Sequence, residues 1–155
     1  MASARRVSSQ KGSRPSVHTE TDTILLVEDE AAVRALLSTV LTRSGYCVVT
    51  AESSNHAIVQ AASIRGPIRL VITDVMLPTG TGAHLAAKLS AGGLSAPVLF
   101  ISGYAAPMLI RQGHLQETSH FLQKPFMREQ LLATVRELIA FARAPIERES
   151  AACTS

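Results

Sequence analysis

Residues 68–78 read Ile-Arg-Leu-Val-Ile-Thr-Asp-Val-Met-Leu-Pro. The apolar run Leu70 to Thr73 reads as a buried strand, and Asp74 closes it. An ionisable side chain at the end of such a strand is costly unless it is used. Three other apolar runs end in the same way. Ile24-Leu25-Leu26-Val27 leads to Glu28-Asp29, Val98-Leu99-Phe100-Ile101 to Ser102, and Phe121-Leu122-Gln123 to Lys124-Pro125. Four polar sites at four strand ends are hard to explain as packing. They point to an acidic pocket that holds a cation and carries a nucleophile.

Between these runs lie helical patterns. A helix is predicted from about Glu30 to Ser44, with Val33, Leu36, Leu37, Val40 and Leu41 on its apolar face and Gly45 as its stop. Tyr46 to Thr50 is the second strand. Ser53 or Ser54 caps a helix to about Ser63, which Gly66-Pro67 ends. Ile68 to Thr73 is the third strand, residues 78–82 are loop, and a helix runs from about Ala83 to Ser90. Pro97 to Ile101 is the fourth strand. Residues 105–116 are only weakly helical, since Pro107 and Gly113 interrupt them. His120 to Gln123 is the fifth strand, and the last helix runs from about Met127 to Phe141, with Leu131, Val135, Leu138 and Ile139 on one face. Five strands alternating with helices imply an α/β fold with a parallel sheet covered on both faces. In such folds the functional crevice lies beyond the carboxyl ends of the strands, where all four polar sites fall.

The chain has 155 residues, enough for one domain, and 46% hydrophobic against 17% charged residues excludes global disorder. Aromatics at 4% and the absence of Trp argue against stacking on single-stranded nucleic acid. Residues 1–22, with Arg5, Arg6, Lys11 and Arg14, read as a flexible basic arm, and residues 144–155 as a disordered tail. Residues 23–143 are the folded domain. Of the two cysteines, Cys47 is expected in the core and Cys153 in the tail; they form no disulfide framework. No apolar run is long enough to span a membrane, and no secretory signal is present. A cytoplasmic protein is expected. The histidines His18, His56, His84, His114 and His120 lack metal-ligand spacing, and Gly80-Thr81-Gly82 lacks the flanks of a nucleotide-binding loop.

Glu28, Asp29 and Asp74 at one rim would repel one another without a cation. Oxygen ligands with room for water suit Mg²⁺. Taken alone, Glu28, Asp29 and Glu30 also fit as acids at a helix start, Ser102 as a turn residue and Lys124 as a surface lysine. Joined together, they favour the pocket: Lys124 can reach the acids and neutralise an incoming phosphoryl group.

The pattern resembles the receiver domain of two-component response regulators. It is carried by Leu-Val-Glu-Asp-Glu at 26–30, Thr-Asp-Val-Met-Leu-Pro-Thr-Gly-Thr-Gly at 73–82, Phe-Ile-Ser-Gly-Tyr-Ala at 100–105 and Phe-Leu-Gln-Lys-Pro-Phe at 121–126. The Ser-Gly-Tyr-Ala and Gln-Lys-Pro-Phe segments are similar to those of receivers in hybrid histidine kinases. The resemblance implies a flavodoxin-like three-layer sandwich with strand order 2-1-3-4-5. It implies Asp74 as phosphoacceptor, with Lys124 and Ser102 as phosphoryl-contacting partners. Mg²⁺ would be held by Asp29, Asp74, Glu28 and the backbone carbonyl of Met76. Ser102, Phe121 and Tyr104 fall at switch positions, Gly82 at the start of the third helix, and the Lys124–Pro125 bond is expected to be cis.

The implied function is a single-domain response regulator. It would take a phosphoryl group from a sensor histidine kinase or histidine phosphotransfer protein, then control a protein target or pass the group on. It is expected to be a monomer or weak homodimer that binds no DNA, since no helix-turn-helix follows the domain. It is not an enzyme toward an external substrate, catalysing only its own phosphorylation and slow dephosphorylation. The alternatives are a non-phosphorylated pseudo-receiver that acts as an interaction module and a metal-dependent phosphohydrolase.

Overall fold

The computed structural model describes residues 21–143. The expected arm, apart from residues 21 and 22, and the expected tail lie outside the described residues, as do His18 and Cys153. In chain order the elements are β1 (Thr23–Val27), α1 (Ala31–Arg43), β2 (Cys47–Ala51), α2 (Ser54–Ser63), β3 (Ile68–Asp74), β4 (Met76–Leu77), β5 (Gly80–Thr81), α3 (Gly82–Ala91), β6 (Val98–Ser102), α4 (Ala106–Arg111), β7 (His120–Gln123) and α5 (Arg128–Arg143). The parallel sheet has the order β2-β1-β3-β6-β7. Once the small antiparallel ribbon β4–β5 is set aside, this is the flavodoxin-like order 2-1-3-4-5.

The central strands are continuously apolar because both of their faces are covered. Ile24 and Leu26 of β1, Leu70 and Ile72 of β3, and Leu99 and Ile101 of β6 point to one side. There they pack with Leu37 and Leu41 of α1 and Leu131, Val135, Leu138 and Ile139 of α5. Leu25, Val27 and Val71 point to the other side, against Ala57 of α2 and Leu85 and Leu89 of α3. Each fully buried aliphatic side chain contributes about 1.5–3 kcal/mol. The two layers therefore hold the sheet rigid beneath its loops. A smaller cluster of Val75, Phe100, Leu109 and Leu115 seats α4.

The capping residues work as their chemistry requires. Ser53 Oγ accepts the His56 N–H to start α2, and Thr81 Oγ1 accepts the His84 N–H to start α3. α4 is a helix of only six residues. Gly113, at φ +81°, ends it: its N–H donates to the Ile110 carbonyl and the His114 N–H to the Leu109 carbonyl. Pro107, by contrast, sits in the first turn, where a missing N–H costs nothing.

Three expectations need correction. Cys47 is exposed, not core, because β2 is an edge strand and Cys47 is its first residue. Leu36 fits the helical period yet is 62% exposed, lying beyond the stripe that Leu37 and Leu41 bury. Residues 78–82 are not all loop, since Met76 pairs with Thr81 and Leu77 with Gly80.

Gly82 is where the fold tolerates no side chain. A Cβ there would collide with the Asp74 carbonyl oxygen and lie 3.0 Å from Thr73 Cγ2. This close approach lets α3 start directly behind the end of β3, with the Gly82 N–H donating to the Val75 carbonyl at 2.7 Å. Gly103 has open space at its Cβ position. Gly82→Ala is therefore expected to lower the urea midpoint by the equivalent of about 1–3 kcal/mol, as overpacking does. Gly103→Ala should stay within about 0.5 kcal/mol of wild type. Equal midpoints for the two variants would contradict this account.

Candidate functional site

Strand register assembles the site. Val27 of β1 pairs with Thr73 of β3, so Glu28 and Asp74 emerge side by side one step later. Asp74 pairs with Ile101 of β6, and Ser102 pairs with Gln123 of β7. The Lys124 N–H donates to the Ser102 carbonyl at 2.8 Å, which extends that pairing by one residue. The Lys124–Pro125 bond is cis, as expected. Lys124 turns its side chain back across β6. Its Nζ lies 3.0 Å from Glu28 Oε2 and 3.0 Å from Asp74 Oδ1.

Glu28, 1% exposed, is among the most buried groups of the chain. Its two oxygens are both engaged: Oε1 accepts the Glu30 N–H at 3.1 Å and Oε2 accepts from Lys124. Asp74 is buried and Asp29 exposed, and one carboxylate oxygen from each of Glu28, Asp29 and Asp74 lies within 4.8 Å of the others. Behind Asp74, Thr73 Oγ1 donates to the Asp74 carbonyl at 3.0 Å. Ser102 is buried, and its Oγ accepts the Tyr104 N–H at 3.1 Å. Phe121 is half-buried against the α4 cluster. Met76 and Tyr104 are exposed, at 43% and 56%.

Two contacts were not legible from the strand-end pattern. Arg34, on α1, donates through Nη1 to the carbonyl oxygen of Glu28 at 2.8 Å and to that of Asp29 at 3.4 Å. Asp22, at the opposite end of β1, lies 3.6 Å from Arg69 Nε and 3.5 Å from Arg143 Nη2. It tethers the start of β1 to β3 and to the end of α5.

The charges do not balance. Two carboxylate charges within 4.8 Å repel by about 3 kcal/mol at an effective dielectric of about 20. One ammonium attracts both but cannot neutralise both. Burial is the largest influence on Asp74. With the hydrogen bond to Glu28 it outweighs Lys124 and pushes the Asp74 carboxyl up to about 7. Burial also works against Glu28, but hydrogen bonds from Asp74, Lys124 and the Glu30 N–H overcome it and hold its carboxyl below the usual range. Burial opposes the Lys124 charge, yet the two carboxylates outweigh it and raise its pKa, so it stays protonated. Near neutrality Asp74 thus holds a proton more readily than an ordinary carboxyl, and its contact with Lys124 is only in part an ion pair.

This arrangement can accept a hard cation. The donor set is all oxygen, which suits Mg²⁺ or Ca²⁺ rather than a soft metal, and a divalent charge would remove the imbalance. With both Glu28 oxygens engaged, Asp29 and Asp74 are the carboxylates freer to ligate.

Comparisons with known proteins bear on this geometry. A family model described as "response regulator receiver domain" matches residues 24–136. Sensor kinase CckA of Brucella abortus is 35% identical over 117 residues, which is 76% of this chain and 12% of that protein. Transcriptional regulatory protein TcrA of Mycobacterium tuberculosis is 36% identical over 125 residues, 81% of this chain and 48% of that protein. The chain thus spans half or less of these relatives. Among solved structures, the receiver domain of hybrid histidine kinase CckA aligns with a TM-score of 0.63 and 34% identity, covering 76% of this chain and 98% of that one. A receiver protein from Sinorhizobium medicae aligns with a TM-score of 0.69 and 30% identity, covering 80% and 98%. No helix among the described residues is long and apolar enough to cross a membrane.

The shared proton makes stability depend on pH when no metal is present. The Asp74 carboxyl titrates near 3.8 when unfolded and near 7 when folded. The folded state is therefore progressively disfavoured as pH rises from about 4 to 7, by up to a few kcal/mol. Glu28 acts oppositely: its contribution is present above 4.5 and is lost as pH falls through its lowered folded value. That of Lys124 is held below 10.5 and lost as pH rises past its raised folded value. Between pH 5 and 8, only Asp74 of the three changes. In EDTA the urea midpoint should fall across that window, and Asp74→Asn should flatten the fall. Parallel curves for the two proteins would contradict the assignment.

Proposed function

The chain belongs to the response regulator receiver family, and we propose that it is a phosphorylation-controlled switch with Asp74 as phosphoacceptor and Mg²⁺ as the bound cation. The observation that carries this is the position of Asp74, buried at the end of β3 with the Lys124 ammonium 3.0 Å from its Oδ1. Asp29 and Asp74 would hold the cation directly, with Glu28 beside them and the Met76 backbone carbonyl as a further oxygen. Bound there, Mg²⁺ supplies positive charge for the phosphoryl oxygens and lets Asp74 stay ionised at neutral pH.

The chain's own residues then do the rest. A phosphohistidine on a sensor kinase or histidine phosphotransfer protein presents its phosphoryl group in line with an Asp74 oxygen. The P–N bond breaks as the new P–O bond forms, and the imidazole leaves with the bonding pair and takes up a proton. Lys124 offsets charge on the equatorial oxygens, so the acceleration comes mostly from positioning and electrostatics. The new phosphoryl oxygens then attract the O–H of Ser102, whose oxygen accepts the Tyr104 N–H in the unmodified protein. Ser102 turns to donate to them, which displaces the loop at residues 103–105.

Phe121 follows by packing further toward Leu109 and Ile110, its neighbours in the α4 cluster. It has no hydroxyl with which to lock the new state. The switch is a shift between two populations, biased by the phosphoryl contacts. The signal then leaves through a protein contact or by onward transfer of the phosphoryl group, in the cytoplasm, from a monomer or weak dimer.

Dephosphorylation should be slow. Met76 and Tyr104, both exposed, follow Asp74 and Ser102 by two residues, and neither offers an amide or carboxylate to orient water. With a small phosphoryl donor such as acetyl phosphate and Mg²⁺, intact mass should rise by one phosphoryl group in the wild type and not in Asp74→Asn. The adduct should persist for minutes or longer. No adduct would support a pure interaction module, steady phosphate release a hydrolase, and decay within seconds would sink the slow-turnover reading.

A further inference from the structure

Arg34 is misplaced on charge grounds twice over. It lies in the first turn of α1, where the helix dipole disfavours a cation, and beside an acidic cluster that is itself the proposed cation site. Its contacts explain why it is there. Its main-chain N–H opens the α1 ladder on the Glu30 carbonyl at 2.9 Å. Its side-chain Nη1 turns back to the carbonyls of Glu28 at 2.8 Å and Asp29 at 3.4 Å. One residue thus grips three consecutive carbonyls of the β1–α1 connection.

At its start the connection is also anchored to β2, where the Glu28 N–H donates to the Ala51 carbonyl at 3.0 Å; beyond Glu28 the ties are fewer. Glu30 occupies the cap position of α1 without a side-chain capping bond. Within the connection itself, the Glu30 N–H donates to the side chain of Glu28, at Oε1. Asp29, the carboxylate freest to ligate, is exposed and has no side-chain hydrogen bond among the described residues. Its position therefore follows its backbone, and on the α1 side that backbone meets the half-buried Arg34 guanidinium at the Glu28 and Asp29 carbonyls.

We propose that Arg34 is a positioning residue for the cation site, holding the Glu28–Asp29 backbone so that both carboxylates face Asp74. This rests on the cation reading above and extends it from the ligands to what orients them. Outer partners of metal ligands have effects of this kind, commonly about tenfold or more in affinity.

Positioning and simple Coulomb repulsion predict opposite signs. Removing a positive charge near a cation site should tighten binding if charge alone matters. If Arg34 orients the ligands, removing it should weaken binding. The experiment is a Mn²⁺ titration of the EDTA-treated, extensively dialysed 155-residue chain, followed by the electron paramagnetic resonance signal of free Mn²⁺, with Mg²⁺ competition.

The expected order of affinity is wild type, then Arg34→Lys, which keeps the charge and one donor, then Arg34→Met, weaker by about tenfold. Urea midpoints measured alongside separate lost affinity from lost folding. Should Arg34→Met not fold, Arg34→Ala, neutral and without a side-chain donor, carries the same opposition of signs. Unchanged or tighter Mn²⁺ binding by the neutral variants overturns the role of Arg34 and leaves the cation reading standing. No Mn²⁺ binding by the wild type overturns both.

Discussion

One ammonium between two buried carboxylates is the contact on which the rest of this structure depends. Lys124 Nζ touches Glu28 and Asp74 at 3.0 Å each, joining the ends of β1, β3 and β7 across the sheet. Breaking such a buried pair from one side leaves an uncompensated charge, at a cost of about 3–5 kcal/mol. Everything nearby serves that meeting. Strand register brings the three ends level, and Gly82 leaves room for the Asp74 carbonyl. The two apolar layers keep the sheet from adjusting.

The contact is also incomplete, and function follows from that. Three groups carrying two negative charges and one positive cannot all be satisfied in a buried site, so Asp74 retains a proton near neutrality. A rigid sheet that presents an under-neutralised carboxylate at its rim is poised for a cation and for a group that brings new hydrogen-bond acceptors. Phosphorylation on Asp74 would supply the latter. Ser102, whose oxygen accepts an N–H from its own loop, still has its O–H to donate to a phosphoryl group, and the loop would move with it. In the proposed switch the driving energy would be local, whereas its readout would lie on the exposed loops and α4.

Much of this was legible in the sequence because the relevant signals are short. An apolar run that stops at Asp74, or at Glu28 or Lys124, marks both a strand and the end at which these side chains meet. The apolar face of α5, Leu131 to Ile139, appeared as predicted because that helix is flanked by solvent on one side only. What was not legible depends on neighbours distant in the chain. Cys47 lies in an apolar run, but its exposure follows from β2 being the edge strand. The strand order came from the family resemblance and not from periodicity. Leu36 obeys the helical period, yet it falls beyond the buried stripe. Glu28 could be placed at the acidic rim, but the engagement of both its oxygens required knowing where Lys124 and the Glu30 N–H lie. Arg34 gave no signal, since an arginine on an amphipathic helix ordinarily faces solvent.

The central claim is that Asp74 is held under-neutralised in the metal-free protein and is relieved by a cation. The direct test is a carboxyl-carbon NMR titration of Asp74, assigned by its loss in Asp74→Asn, with and without Mg²⁺. Without metal the Asp74 carboxyl should titrate near 7, and Mg²⁺ should move that titration markedly lower. An Asp74 carboxyl that titrates in the ordinary aspartate range without metal, and is unmoved by Mg²⁺, would contradict the account.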